Sequence, residues 1–549
     1  SEFGDYSAEN LQKLIQATYD ESVLEQEEGS VLLRNNNSAL PLSSNSHVTL
    51  FGHAVVQPVY APGGANSGAA STGTYVIDLY QALKDVGFSI NDTLYDAYKN
   101  SSTSRVASNN LTIAGGPNST GDFNAAPVLG EEPKSFYTAQ LQQSWENDYN
   151  DVAIVMLARE GGEDCEMMME DPDGISALAL HQDEKDMLAM IRDSGKFSKI
   201  VVLLNSAYPM ELGWMDEYNV DACLWIGDPG QRGFEGVANL LTGKANPSGK
   251  LTETWPLCYD DVPSRDTFGK KTTHYKEGLY AGYRYYDKAG KAVRFPFGYG
   301  LSYTQFAYSD LKIEGRTVTA TVTNTGSTAG AEVVQLYVAP PQNGLYRPAK
   351  ELKGFAKVSL QPGESQTVRF ELNDRSFAVW CDGCWKVPMG SYEICVGASV
   401  ADIRLRAALT VDGVSLAAPD WQKGSWYETL QGLPTDAEFE KLCGSPLQSD
   451  PEPKKGAFTM EHSTMELKDI SAVMMQMFKG TEATIAKSFG GKADYSDPTF
   501  KMMVMSGADA PLRAAVLSSC GMFPANLAEG MLALANGHPL NGVKKLIKK

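Results

Sequence analysis

Cysteine is scarce and scattered, eight in 549 residues, which is too few and too dispersed for a disulfide-stapled scaffold. Positive charge is thin as well. Lysine and arginine number 47 against 67 acidic residues, giving a formal charge of -20 and an isoelectric point near 4.8. The basic residues are spread along the chain, whereas phosphate contacts need them clustered. Nucleic acid is therefore excluded as a partner, and a neutral or cationic ligand fits better. No run approaches the roughly 18 apolar residues that would span a bilayer, and no charged-then-apolar segment opens the chain. Ser1 to Gly4 reads as a cloning scar, so a fragment is expected, and the compartment, cytoplasmic or secreted, is left open. The glycine-rich stretch VYAPGGANSGAASTG has neither G-x-G-x-x-G spacing nor a following Lys-Ser or Lys-Thr, which argues against a phosphate cradle.

What is present is ample material for packed interiors: 43% of residues are hydrophobic and 10% aromatic, and the length suggests about three domains. Leu11, Leu14, Ile15, Tyr19, Val23 and Leu24 recur at helical spacing and predict a helix over 5–28, ended by Gly29. VLLRNNNSALPL, HVTLFG, VAIVML, IVVLLN and ACLWIG read as short buried strands. From Val152 onward they alternate with helical patterns over 183–193 and in PGQRGFEGVANLLTG. Alternation of this kind predicts a mostly parallel sheet with helices on both faces and functional loops at one edge. From Leu311 to Gly413 the texture changes to alternating strands (TVTATVTNTG, EVVQLYVAP, SQTVRFELN, SYEICVGAS), the pattern of a seven-stranded sandwich of about 100 residues. Beyond an acidic, proline-bearing connector at Ser449 to Lys455, Met474, Met475, Met477, Met502, Met503 and Met505 fall at helical spacings, as in an adaptable core or a partner-facing surface. The closing GVKKLIKK reads as a basic helix tip.

The most heavily charged stretch follows VAIVML. Glu160, Glu163, Asp164, Glu166, Glu170, Asp171 and Asp173 crowd one loop ahead of the helix that begins near Gln182, at the carboxyl end of a strand, where α/β sheets place ligands. Each carboxylate makes its neighbour harder to ionise, and a carboxyl kept neutral near pH 7 is a proton donor. The plainer reading is a solvated acidic loop. A calcium loop is a third reading, since Glu170-Asp171-Pro172-Asp173-Gly174 has part of that pattern, but the full D-x-D-x-D-G with a later Glu is missing. Cys381 and Cys384 form a C-x-x-C in VWCDGCW. A zinc ribbon needs a second pair, which Cys395 and Cys443 do not supply at that spacing. The Asp-Gly between two aromatic-flanked runs predicts instead a hairpin carrying thiols or one labile disulfide.

Taken in order, VLLRNNNSALPL, ELGWMDEY, LWIGDPGQRGFEGVANLLTGKANPSGKLTETWP, FPFGYGLSYTQF and RPAKELKGFAKVSLQPGES resemble the carboxyl-side domains of family 3 glycoside hydrolases, the β-glucosidases, β-xylosidases and their relatives, over roughly residues 8 to 413. The resemblance implies an α/β sandwich with a mostly parallel sheet over 5–256, a connecting segment over 257–305, and an all-β fibronectin type III-like sandwich over 306–413. A linker and Met-rich helical C-terminal tail would occupy 414–549. It also implies a retaining glycosidase using two carboxylates, an aspartate nucleophile on a (β/α)8 barrel and a glutamate acid/base on the α/β domain. The family's acid/base loop resembles Ser-Gly-Glu-Gly-x-Asp, and Gly161-Gly162-Glu163-Asp164-Cys165-Glu166 matches it with Glu163 on the glutamate; Glu160 is the competing alignment. Arg159, Glu166 and Gln182 then stand where substrate contacts are expected. Asp164, Glu166 and Arg232 depart from the family pattern. Neither a metal nor a cofactor is implied.

A barrel needs about 200 to 250 residues, and the region after Gly413 is too short for one and lacks the family's Lys-His and Ser-Asp-Trp segments. The expected partner is therefore carbohydrate, a β-glucoside or β-xyloside, together with a barrel on another part of the protein or another chain, and the isolated polypeptide is expected to hydrolyse poorly. The alternative is a non-catalytic carbohydrate-binding or assembly module that grips sugar through the acidic loop and aromatics such as Trp214, Trp225, Tyr280 and Tyr285. Of these, Trp225 lies in a strand pattern and fits a core equally well.

Overall fold

The computed structural model describes residues 7–60, 76–103, 130–159, 170, 174–176, 178–267, 272–495, 498–519, 521 and 523–547. Helix α1, Ala8–Gly29, is capped by the Ser7 side chain on the Asn10 N–H. It leads into strands β1 (Val31–Asn35) and β2 (His47–Phe51). Helix α2 (Leu79–Asp85), β3 (Ser89–Ile90), α3 (Asp92–Lys99) and the short α4 (Ala139–Gln143) follow. Then come β4 (Val152–Arg159), α5 (Gln182–Ser194), β5 (Lys199–Ser206), β6 (Ala222–Trp225) and α6 (Gly233–Thr242).

These six strands form one sheet in the order β1-β6-β5-β4-β2-β3. The pairs β2 with β3, β2 with β4, β4 with β5, and β5 with β6 are parallel. Only the edge strand β1 runs antiparallel, Val31 opposite Trp225. Every residue of β4 is buried, as expected of a central strand covered on both faces. Each fully buried Val, Leu or Ile there contributes about 1.5–3 kcal/mol by leaving water. Because β3 lies on one side of β2 and β4 on the other, the chain reverses its direction of travel between β2 and β4. The carboxyl ends of those strands therefore open a crevice, the usual ligand position of an open α/β sheet.

Strands β7 (Trp255–Pro256) and β8 (Val293–Phe295) pair as a small ribbon around α7 (Tyr283–Ala289). The sandwich comprises β9 (Phe306–Glu314), β10 (Thr317–Asn324), β11 (Gly330–Ala339), β12 (Glu351–Leu360) and β13 (Ser365–Glu371). After the hairpin β14 (Val379–Cys381) and β15 (Cys384–Lys386), it closes with β16 (Gly390–Gly397) and β17 (Ile403–Val411). Its two sheets, β13-β10-β9 and β12-β11-β16-β17, hold the expected seven strands. Alternate residues of β10 face inward, so that Val318, Ala320 and Val322 are buried while the threonines between them face outward. The sandwich is fastened to the connecting segment by Gln335, whose amide donates to the carbonyl of Gly298 at 3.0 Å, and to the α/β domain by Lys250 paired with the buried Glu332 at 3.2 Å.

The tail is helical among its described residues. Its first turns dock on the connecting segment, where Tyr280, Tyr285, Tyr286, Trp426, Tyr427 and Leu430 form one buried cluster. Tyr283 is buried beside Tyr337 and Cys395 of the sandwich. Connector aromatics read as sugar platforms are thus interdomain core, because three elements converge on them and only large flat side chains fill the gap. Further on, Met474 is fully buried with Phe458, Leu467, Leu512 and Leu532, the adaptable-core role that its unbranched side chain suits.

Candidate active site at the sheet's switch point

Between β2 and β4 the floor of the crevice is built from charged groups that the fold has removed from water. Arg159, last residue of β4, is 1% exposed. Its Nη1 and Nη2 donate to Glu184 Oε1 and Oε2 at 2.7 and 2.8 Å, a two-pronged ion pair inside the domain. The same nitrogens reach the carbonyls of Ala158 and Ala179 at 3.0 and 2.8 Å. Glu184 Oε2 also accepts the backbone N–H of His181 at 2.9 Å, closing the first turn of α5. Burial opposes charge on both partners, but the pair wins: the Glu184 carboxyl lies below its ordinary range and the Arg159 guanidinium above its own.

Arg159 thereby ties residue 159 to residue 179, a closed neck between the end of β4 and the residues that lead into α5. The α5 side is held again by Leu178, whose carbonyl accepts from the Glu211 N–H at 2.9 Å, and by Ser176, whose hydroxyl donates to Glu211 Oε1 at 2.8 Å. Glu160, Glu163 and Glu166 lie outside the described residues, as does most of the acidic stretch. Of the substrate contacts expected, Arg159 is a buried strut whose terminal nitrogens are occupied. Gln182 opens α5 as expected, but its amide donates to Asp186 along the same helix at 2.8 Å. Arg232, which departs from the family pattern, is spent locally on Glu235 and lies over the Tyr19 ring.

The other wall follows β2. Gly52 adopts a φ of +95°, and a Cβ there would run into the Met156 carbonyl oxygen, so only glycine lets β2 and β4 approach so closely. The Gly52 N–H donates to Tyr98 Oη at 3.0 Å, and Tyr98 Oη bonds Tyr137 Oη at 2.8 Å. His53 and Glu132 form a second buried pair at 2.9 Å, with the Thr103 hydroxyl donating to the same carboxylate at 2.9 Å. Burial works against charge on Glu132, and those hydrogen bonds outweigh it and hold its carboxyl low. Neighbouring Glu131 goes the other way. Burial pushes its carboxyl up to about 8, with Glu184 and Glu132 adding repulsion, although the backbone N–H groups of His53 and Glu132 favour its charge.

Glu131 thus holds a proton in the native state that the unfolded chain loses near pH 4.5. Its contribution to stability is complete below that pH and falls as pH rises towards about 8, with a slope approaching 1.4 kcal/mol per unit, roughly, where only this group differs between the two states. Urea unfolding of the native sequence and of Glu131→Gln at pH 5.5 and 8.5 checks this: the variant should lose less stability across the interval. Equal losses would contradict it.

Sequence reasoning passed over His53, Glu131, Glu132 and Glu184, because buried acids of this kind are spelled by ordinary charged residues. Glu184 carried one faint signal, standing three residues after the helix-capping position His181. Asn205, at the end of β5, was missed too: its side chain accepts from the Val59 N–H and donates to the Val59 and Gly227 carbonyls, tying two edge loops to β5. The aromatics suggested as sugar grips are placed differently. Tyr280 and Tyr285 are buried, and Trp225 packs edge-on against Trp255 with its indole N–H on the Ser206 carbonyl.

An open, mostly parallel α/β sheet followed by a seven-stranded sandwich defines the architectural class. Residues 30–303 match the family described as Glycosyl hydrolase family 3 C-terminal domain, and residues 332–400 the Fibronectin type III-like domain. Among relatives, the chain is 32% identical over 405 residues to a beta-glucosidase of Ruminococcus albus, covering 71% of this chain and 40% of that one. It is 33% identical over 397 residues to the thermostable beta-glucosidase B of Acetivibrio thermocellus, covering 70% and 47%. Beta-glucosidase 3B of Thermotoga neapolitana, solved with glucose, superposes with a TM-score of 0.60 at 33% identity, over 73% of this chain and 54% of that one. The chain belongs to glycoside hydrolase family 3 through these two domains. It spans about half the length of the relatives it matches.

Proposed function

We propose that this polypeptide supplies the general acid/base carboxylate of a retaining β-glycosidase, Glu163, acting on a terminal β-linked sugar beside a nucleophile carried by a (β/α)8 barrel. In this reading residues 5–256, 257–305, 306–413 and 414–549 are the α/β domain, connector, sandwich and tail, and the sugar is a β-glucoside or β-xyloside. The observation that carries the proposal is the closed neck: Arg159 and Ala179 are joined by a 2.8 Å hydrogen bond at the switch point of a family 3 domain, and the Gly161-Gly162-Glu163 match falls between them. Glu160, Asp164 and Glu166 stand beside Glu163 in the sequence, and each neighbouring carboxylate raises the cost of forming another negative charge. A proton donor is what the first step of a retaining mechanism needs, because the departing sugar oxygen must be protonated as the nucleophile attacks the anomeric carbon. In the second step the same group, now ionised, takes a proton from the attacking water.

The chain alone should cleave an aryl β-glucoside weakly or not at all, and addition of a barrel-bearing domain should restore turnover. Brisk cleavage by the isolated chain would refute the two-part assignment, and no cleavage with any family barrel would remove its support.

A further inference from the structure

Of the chain's eight tryptophans, Trp380 and Trp385 are the exposed ones, at 61% and 47%. They are direct cross-strand partners on the β14–β15 hairpin, with ring centroids 5.4 Å apart and planes at 69°. Asp382 and Gly383 both take positive φ, 51° and 76°, as a tight two-residue turn requires, and Lys386 reaches Asp382 at 2.6 Å. The Arg375 guanidinium lies 3.4 Å from the centre of the Trp385 ring and fixes that ring from one side. Among the described residues neither indole N–H is hydrogen-bonded, nor is any Arg375 donor.

The pair lines a cavity of ≈ 820 Å³ together with Trp421, Tyr346, Glu351 and Lys353. Two large apolar rings side by side in water are a cost the fold had the means to avoid, since a soluble surface rarely keeps such a patch without use for it. The lining is neither uniformly apolar, as a hydrophobic peptide would want, nor uniformly charged.

We propose that this groove is a second carbohydrate-binding site, on the sandwich domain, that takes a β-linked oligosaccharide chain. A pyranose ring in such a chain has an apolar C–H face and a belt of hydroxyls, and the groove offers both complements: indole faces for the first, and Arg375, Lys353, Glu351 and the free indole N–H groups for the second. The site shares no residue with the switch-point crevice. It takes from the proposed function only the class of ligand, carbohydrate, and is independent of the acid/base assignment.

The test is calorimetric titration of the full chain with cellohexaose and with xylohexaose, comparing the native sequence, the double variant Trp380→Ala/Trp385→Ala, and Arg375→Met. At least one of the two sugars should bind the native chain, with affinity falling tenfold or more in the double variant and several-fold in Arg375→Met, while melting temperatures stay together. No binding of either sugar at millimolar concentration, or undiminished affinity in the double variant, would overturn the proposal. So would a native chain that binds no sugar but self-associates through this hairpin, seen as a drop in sedimentation mass in the double variant. Should the double variant unfold, Trp380→Phe with Arg375→Met gives the same decision. A Glu163→Gln chain that still supports cleavage would refute the catalytic assignment and leave this result untouched.

Discussion

Replacing Arg159 with methionine is expected to lower the unfolding free energy by about 3–5 kcal/mol, because it leaves the Glu184 carboxylate buried without its counter-ion. The Glu184 oxygens lie 2.7 and 2.8 Å from the guanidinium, and among the described residues only the His181 N–H bonds to them besides that cation. The loss should appear as a lower urea midpoint at pH 7. It should shrink as pH falls, because in the variant a protonated Glu184 is tolerated, whereas in the native protein its depressed carboxyl contributes stability above the unfolded pKa that disappears on acidification. The double variant Arg159→Met/Glu184→Leu should recover much of the loss, since removing both charges removes the desolvation penalty too. A single variant as stable as the native chain would mean that the neck is not held by this pair.

Glu163→Gln is expected to reduce kcat/KM, in an assay containing the barrel, by about 10²–10⁴-fold on substrates with poor leaving groups, the span assigned to general acid–base catalysis. Substrates whose leaving group departs without protonation should be spared in the glycosylation step and slowed only where water must be deprotonated. The alkaline limb of the pH profile should vanish with the carboxyl. If Glu163→Gln behaves as the native protein while Glu160→Gln shows this signature, the competing alignment is right. If neither does, the acid/base is elsewhere.

Much of the architecture was legible because each element repeats its own period. The unbroken apolar run ending at Arg159 could satisfy only a strand covered on both faces, and Thr-Val-Thr-Ala-Thr-Val from 317 to 322 only a strand with one wet face. The Asp382-Gly383 hairpin was spelled by its two turn residues. The aromatics were not legible in this way. Tyr280, Tyr283 and Tyr285 look alike as letters, and their burial follows from the tail helix and the sandwich closing over them. Trp380 and Trp385, two letters either side of a turn, remain in water.

By itself the sequence determined the order of the domains, the acidic stretch that follows a buried strand, and the family, because periodicity, turn chemistry and ordered motifs are local properties of the chain. Which charges are paired was decided only by tertiary structure. Arg159 and Glu184, or His53 and Glu132, are distant in sequence and unremarkable in composition, and only the packing of β2, β4 and α5 into one sheet edge takes them out of water and brings each to its partner.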